Sequence, residues 1–478
     1  MFASPTETDI APSGSLLGLL QRGRGDGWLH ALAAPRPEAV AALDLCVLHD
    51  PRLDWQLEHR SLYYARLYAE LGADLGALAA HLFHPDDLSR PEEERTGLAL
   101  SVLGHLTSYD NRAALDLLRR YAVSGANWRW ALDELAVRDD DAALRALGPA
   151  VLDRFPATEE GEAALVTAVR DAFEPRPWRL WAEDPARPAQ RARLARASEG
   201  GHFTRWQRQL RPAGPRPGWS VAAVLAWALE GYESVPRQWR EAPAARCLSA
   251  VAGPEDRPAL LSAAADGEPP VRAAALRHLA ERDDPDACAL IEAAAAAADP
   301  DVARAALTAF ARMCGPGVLP QARRWAGRTD ALGTTAATVL ARRGEESDAP
   351  SVLAALHHVL RTGGANAAET QPLVEGVGRL TVRPAAPLLR YIYRETASSQ
   401  LRGHTARALA RVDPGFAAGF AVECLWDCEE DTRETGARHA TTGDTRVMER
   451  LRRLAADPAE EAAVQTAVRG RLDGPATP

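Results

Sequence analysis

Lysine is absent from this chain, so all 56 basic residues are arginine. Alanine is abundant, and the two biases together read as a GC-rich bacterial coding sequence. A single arginine here is therefore a weaker sign of phosphate or carboxylate binding than usual. Aromatic residues make up only 6%, yet the 12 tryptophans outnumber the 8 tyrosines and the 8 phenylalanines. The six cysteines, Cys46, Cys247, Cys288, Cys314, Cys424 and Cys428, form no CxxC pair and no zinc spacing. Free thiols in a reducing compartment are expected. No apolar run is long enough to span a bilayer; the alanine run near residue 293 is short and flanked by charge. The opening stretch MFASPTETDIAPSGS lacks the basic segment and apolar core of a signal peptide. These absences lead us to expect a cytoplasmic protein that makes no membrane contact.

Chemical motifs are missing as well. There is no GxxxxGK[ST], no GxGxxG opening a helix and no GxSxG, so nucleotide binding and serine-hydrolase chemistry have no signature. The 12 histidines form no HExxH; His81 and His84 bracket two apolar residues, and His357 and His358 are neighbours that point to different faces. No cofactor and no metal are expected. The net charge is −9 and the pI about 5.8. Nucleic-acid affinity comes from neutralising phosphates, so an acidic total disfavours that partner and leaves a local basic groove as the one route to it.

What the sequence does have is self-similarity. At 478 residues the chain is too long for one ordinary core. The clearest unit is VRAAALRHLAERDDPDACALI from Val271, answered about 31 residues later by VARAALTAF from Val302. Val271, Ala274, Ala275, Leu276 and Leu279 fall at helical spacing and form one apolar stripe. Asp284 is placed to cap the next helix, with Pro285 at its first position, and Asp299-Pro300-Asp301 punctuates the following boundary in the same way. One such helix pair cannot hide its stripe alone, whereas a stack of pairs can. The N-terminal half repeats the theme around Asp110-Asn111 and Asp139-Asp140-Asp141. The fold class expected is therefore all-α: an α-solenoid of stacked antiparallel helix pairs. These motifs resemble the HEAT-like repeats of the phycobilisome-lyase class, loosely over about 350 residues and well over 245–315. The resemblance implies a fold and leaves activity open. Members of that repeat class include scaffolds, chaperone-like subunits, bilin lyases and DNA-alkylation repair glycosylases.

Residues 174–242 interrupt the pattern. Six tryptophans lie there, among them Trp178, Trp181 and Trp206, with an arginine cluster that includes Arg193, Arg205, Arg208 and Arg211. One reading is a joint in which indoles fill an irregular core. The other is a recognition surface, since arginine and tryptophan are enriched at binding hot spots and a positive patch steers a negative partner. The domain organisation expected is a disordered tail 1–14, a helical array 15–173, this joint or insertion 174–242, a second array 243–472 and a disordered tail 473–478.

A second cluster is Asn127-Trp128-Arg129-Trp130-Ala131-Leu132-Asp133. Trp130 and Asp133 are one turn apart and can share a face. The cluster resembles the tryptophan–aspartate pairing of HEAT-like alkylpurine DNA glycosylases, in which aromatics hold a cationic lesion and a carboxylate stabilises the developing positive sugar. The alternative is that the indoles pack between repeats while Asp133 faces water. Tyr63, Tyr64 and Tyr68, following Trp55 and His59, form an aromatic helix face that reads as core. With no catalytic constellation, the leading expectation is a non-enzymatic scaffold that binds an acidic protein or peptide through Trp178, Trp181, Arg193, Arg205, Trp206, Arg208 and Arg211. A DNA-binding or repair protein and an assembly helper resembling the lyase branch are the alternatives.

Overall fold

The computed structural model describes residues 10–52, 58, 60–89, 93–199, 215, 218–230 and 238–473. Every regular element among them is a helix, and the helices pack in neighbouring pairs, as an all-α solenoid requires. The chain divides into two compact units. One comprises 1–209, 393–410 and 414–478; the other comprises 210–392 and 411–413.

The second unit shows the repeat most plainly. Helices Pro269–Glu281, Pro300–Arg312 and Ala331–Arg343 follow one another at a step of about 31 residues. Each packs on the next in that series, and each also packs on the shorter helix beside it, Arg257–Asp266, Ala287–Ala295 or Val318–Trp325. Ala274, Ala275, Ala306 and Ala337 are fully buried at these contacts, so small side chains set the close approach of the backbones. Asp299 caps its helix as expected, accepting from the amides of Asp301 (2.9 Å) and Val302 (3.2 Å). Asp284 does not. The next helix starts at Ala287 with Asp286 at its cap position, and the Asp284 carboxylate receives both nitrogens of the Arg257 fork, at 2.7 and 2.9 Å. A planar guanidinium matched to a carboxylate makes two parallel charge-assisted bonds at once, and the same carboxylate still accepts the Asp286 amide at 2.9 Å.

In the first unit the N-terminal helices do not stop at their own neighbours. Helices Leu16–Gln21, Gly25–Ala33 and Ser61–Leu71 lie against residues of 393–410 and 414–460 in the same unit. Arg24 pairs with Glu423 (3.0 Å), Arg66 with Glu460 (3.0 Å), and the Arg60 guanidinium donates to the Ala397 carbonyl (2.6 Å). The Cys428 amide donates to the Gly23 carbonyl at 2.9 Å, an approach that depends on Gly23: its φ is +66°, and a Cβ there would lie 2.3 Å from the Cys428 sulfur. Arg450 is sandwiched between the Trp28 and Trp426 rings, 5.3 and 5.6 Å from their centres. The organisation therefore differs from a simple pair of arrays. The stretch expected as one C-terminal block, 243–472, is divided, and its last part shares a unit with the N-terminal helices. Residues 10–14, expected as part of a disordered tail, also take part: Ile10 is buried and Ser13 donates to Glu395 (2.9 Å).

The expected joint is likewise mostly ordinary helix where it is described. Arg176–Ala182 and Pro188–Glu199 pack on each other and on Asp141–Leu152 and Glu159–Arg170, extending the N-terminal array. Val221–Leu229 packs within the second unit, on Gln238–Val251 and Pro269–Glu281.

Candidate functional site

Helix Trp128–Arg138 has three faces, and its sequence assigns them. Ala131 and Leu135 enter one apolar core, while Trp128 and Leu132 enter another. The remaining stripe, Trp130, Asp133, Glu134 and Val137, follows the i, i+3, i+4, i+7 rhythm and lines a cleft of about 690 Å³. Helix Glu93–Thr107 contributes Ser101 and His105, and the short connection after helix Glu159–Arg170 contributes Asp171, Phe173 and Glu174. Asn127, at the start of the central helix, is anchored by a 2.7 Å bond from its amide to the buried Thr96 hydroxyl.

The carboxylates on this wall are fixed. Asp133 accepts the Glu174 amide at 3.1 Å, which ties the helix to the connection. The Trp130 indole N–H donates to the Ser101 hydroxyl (3.0 Å), Ser101 donates to Glu134 (3.2 Å), and Arg138, one turn on, pairs with the same carboxylate. Burial pushes the Glu134 carboxyl above its ordinary range, against the pull of Arg138, Ser101 and Trp130. Gly104 makes room for it: a Cβ there would come within 2.0 Å of the Glu134 oxygen. Arg129 and Arg154 each lie 5.4 Å from the centre of the Trp128 ring. Val137 is 62% exposed and Phe173 56%, both high for apolar side chains of their size. The arrangement offers anchored negative charge, indole surface and an open apolar rim.

The structure thus places Trp130 and Asp133 on one cleft wall. It treats the arginine- and tryptophan-rich segment differently. Trp178 and Trp181, expected at a partner surface, are 2% and 0% exposed and stack edge to face with centroids 5.1 Å apart. The Trp181 indole donates to the Leu144 carbonyl at 2.6 Å, over a helix surface kept low by Gly148. These two rings are interior packing because indole area is more stable out of water once its N–H has a partner. Arg193 is half-covered and pairs with Glu162 (2.8 Å) while also donating to the Phe155 carbonyl (2.5 Å). Arg176 and Arg187 are likewise paired, with Asp141 and Asp184. Arg205, Trp206, Arg208 and Arg211 lie outside the described residues, as do Trp55 and His59.

Tyr63, Tyr64 and Tyr68 are core residues whose hydroxyls reach the carbonyls of Arg24 and Leu20 and the Asp44 carboxylate. Cys424 and Cys428 are free thiols, the first 3.3 Å from the Tyr393 hydroxyl and the second 3.4 Å from Arg402. No group of three potential metal-ligating side chains occurs among the described residues. Sequence reading missed Ser101, His105, Glu134, Val137, Phe173 and Glu174. The stripe at Glu134 and Val137 was available as a signal, because a helix already apolar on two faces does not need a third. No known protein family matches the chain, and neither does any curated protein or solved structure.

Proposed function

We propose that this chain is a helical-repeat interaction protein that holds a protein or peptide partner at the cleft beside helix Trp128–Arg138. One observation carries the reading. Among the described residues, the two most exposed large apolar side chains, Val137 and Phe173, border the same cleft. Exposed apolar area next to a concave, partly polar surface is what a docking site offers. The resemblance to HEAT-like repeats supports it, since such stacks commonly hold peptides. No helix among the described residues is long and apolar enough to cross a membrane. The acidic partner expected from the arginine-rich segment has less support, because Arg176, Arg187 and Arg193 are matched internally. A nucleic-acid role is favoured by the pairing of Trp130 with Asp133 but lacks a basic surplus: Arg129 and Arg138 are the two guanidiniums on the lining, and Arg138 is already paired with Glu134.

The test is comparative capture from the native cell extract with the wild-type chain and with Val137→Ser/Phe173→Ser. Both positions are exposed, so the fold is expected to survive, as far-UV dichroism would show. Specific loss of one partner supports the reading; an unchanged partner set removes it.

A further inference from the structure

The first unit is discontinuous in sequence. Its described residues form an N-terminal piece, 10–199, and a C-terminal piece, 393–410 with 414–473. We propose that the seam between these two pieces is a salt-releasable closure: rising ionic strength parts them while the helices of each stay folded.

Each piece has apolar packing of its own. The core that runs from Leu20 to Leu144 takes all its buried members from the N-terminal piece; Trp426 and Cys428, both only partly buried, pack against it from the other side. In the C-terminal piece, helix Phe420–Cys424 packs on Glu430–His439, and Glu430–His439 and Thr445–Ala456 both pack on Ala462–Asp473. Leu451, Leu454, Val464 and Val468 are fully buried there. What crosses the seam is mostly charge. Besides the Arg24–Glu423 and Arg66–Glu460 pairs, Arg66 reaches Asp457 (2.8 Å) and Arg453 reaches Glu70 (2.9 Å). Glu58 accepts the Ser399 amide at 2.7 Å, across 341 positions of sequence. Burying charges costs hydration that pairing returns only in part. Two guanidinium nitrogens, Arg60 Nε on one side and Arg402 Nη1 on the other, are buried with no protein partner at all. Parting the seam gives water back to these groups, whereas an apolar seam would only lose by opening. Salt favours the parted state further, because counter-ions gather round the separated charges but do not reach the closed pairs.

The experiment is hydrogen exchange of the intact chain, followed by mass spectrometry as sodium chloride is raised from about 0.05 to about 1 M. Two amides report on the seam: Ser399, bonded to Glu58, and Cys428, bonded to the Gly23 carbonyl. Peptides covering them should exchange at least about tenfold faster at high salt, while the interiors of helices Arg112–Ser124 and Ala462–Asp473 keep their rates. A charge cycle tests the cause. Glu70→Arg sets two positive charges against each other across the seam, at positions exposed enough to spare the fold, as far-UV dichroism would show. Exchange at both reporters should rise about threefold at low salt, and Arg453→Glu in the same chain should bring it back. Reporters whose exchange ignores salt overturn the proposal. So do reporters that speed up only together with the helix interiors, because the seam would then open only by unfolding. A Glu70→Arg chain that exchanges at the wild-type rate, or whose change Arg453→Glu does not reverse, overturns the ionic basis of the closure.

Discussion

The same arginine–aspartate fork occurs in both units, in two very different environments. Arg402 grips Asp427 with both nitrogens, at 2.7 and 3.0 Å, and both side chains are 0% exposed. Arg323 grips Asp348 in the same geometry, at 2.8 and 3.0 Å, but its side chain is 40% exposed. Arg257–Asp284 and Arg390–Asp413 follow the exposed pattern, with Arg119–Asp139 only slightly more covered. In each, an arginine reaches forward to an aspartate at a later boundary between helices. The difference is what lies on top. Arg402 touches Cys428, which Gly23 of the N-terminal segment meets closely, and Arg22 lies near enough to feel the charges of both Arg60 and Arg402. The lesson is that geometry sets which atoms pair, while the covering layer sets how much their separation costs. In water, a broken pair is rehydrated; under a lid of helices it is not.

The largest effect expected from this comparison is for Asp427→Ala. It leaves the Arg402 guanidinium buried without its counter-charge, and one of its nitrogens, Nη1, has no partner even now. A loss of about 3–5 kcal/mol is expected, read as a fall in the urea midpoint of the first unit. A loss below about 1 kcal/mol would mean that water reaches the fork and that its burial is unimportant. The comparison is sharpened by removing both charges. Arg402→Met with Asp427→Leu should recover most of the stability lost by the single change, because well-packed apolar groups can replace a buried pair at little cost.

The next effect concerns pH. Burial pushes the Glu423 carboxyl up to about 7 from its ordinary 4.5; Arg24 pulls down, and Asp26 and Asp427 add to the rise. A carboxyl raised on folding favours the folded state most where it is protonated. Its contribution is complete below pH 4.5 and is lost as pH climbs through 7. Glu423→Gln cannot titrate, so its stability relative to the wild type should improve as pH rises from 4.5 to 8, measured by urea midpoints across that range. Glu58 and Glu460 run the other way. Burial raises them too, but Arg60 with Ser398 and Ser399 in the first case, and Arg433 with Arg66 in the second, outweigh it. Their contributions hold above 4.5 and fade as pH falls. A difference between Glu423→Gln and wild type that stays flat with pH would show that Glu423 is ionised throughout.

Much of this is legible in the residues alone, and the part that is not has a physical reason. The stacking of helix pairs follows from periodicity that each helix carries locally, as at Val271 to Leu279, and Asp140 and Asp299 cap where a short polar side chain precedes an apolar stripe. Burial of Trp178 and Trp181 was not legible, because an indole serves equally as core filler or as anchor and only the neighbouring backbone decides. Nor was the pairing of Gly25–Ala33 with Glu423, since contacts between residues some 400 positions apart leave no local period. Half of the cleft was visible, Trp130 and Asp133 on one helix. The other half, Phe173 and Glu174, comes from a connection whose position depends on tertiary packing.

The smallest expected effect is the one that separates geometry from burial most cleanly. Arg323→Ala removes a fork whose two bonds are as short as those at Arg402. Asp348 is not stranded by the change: its carboxylate still accepts the Glu345 amide at 2.9 Å, and water can enter where the guanidinium stood. Arg323 holds the Asp348 carboxyl below its ordinary range through the same hydrogen bonds, so what stability the pair gives is present above pH 3.8 and disappears on acidification below it. At neutral pH the urea midpoint should move far less than for Asp427→Ala, and the small difference should shrink further as salt is raised, because exposed charges are screened. A loss matching that of Asp427→Ala would reverse the argument, since distances alone would then set the energy and the covering helices would count for nothing.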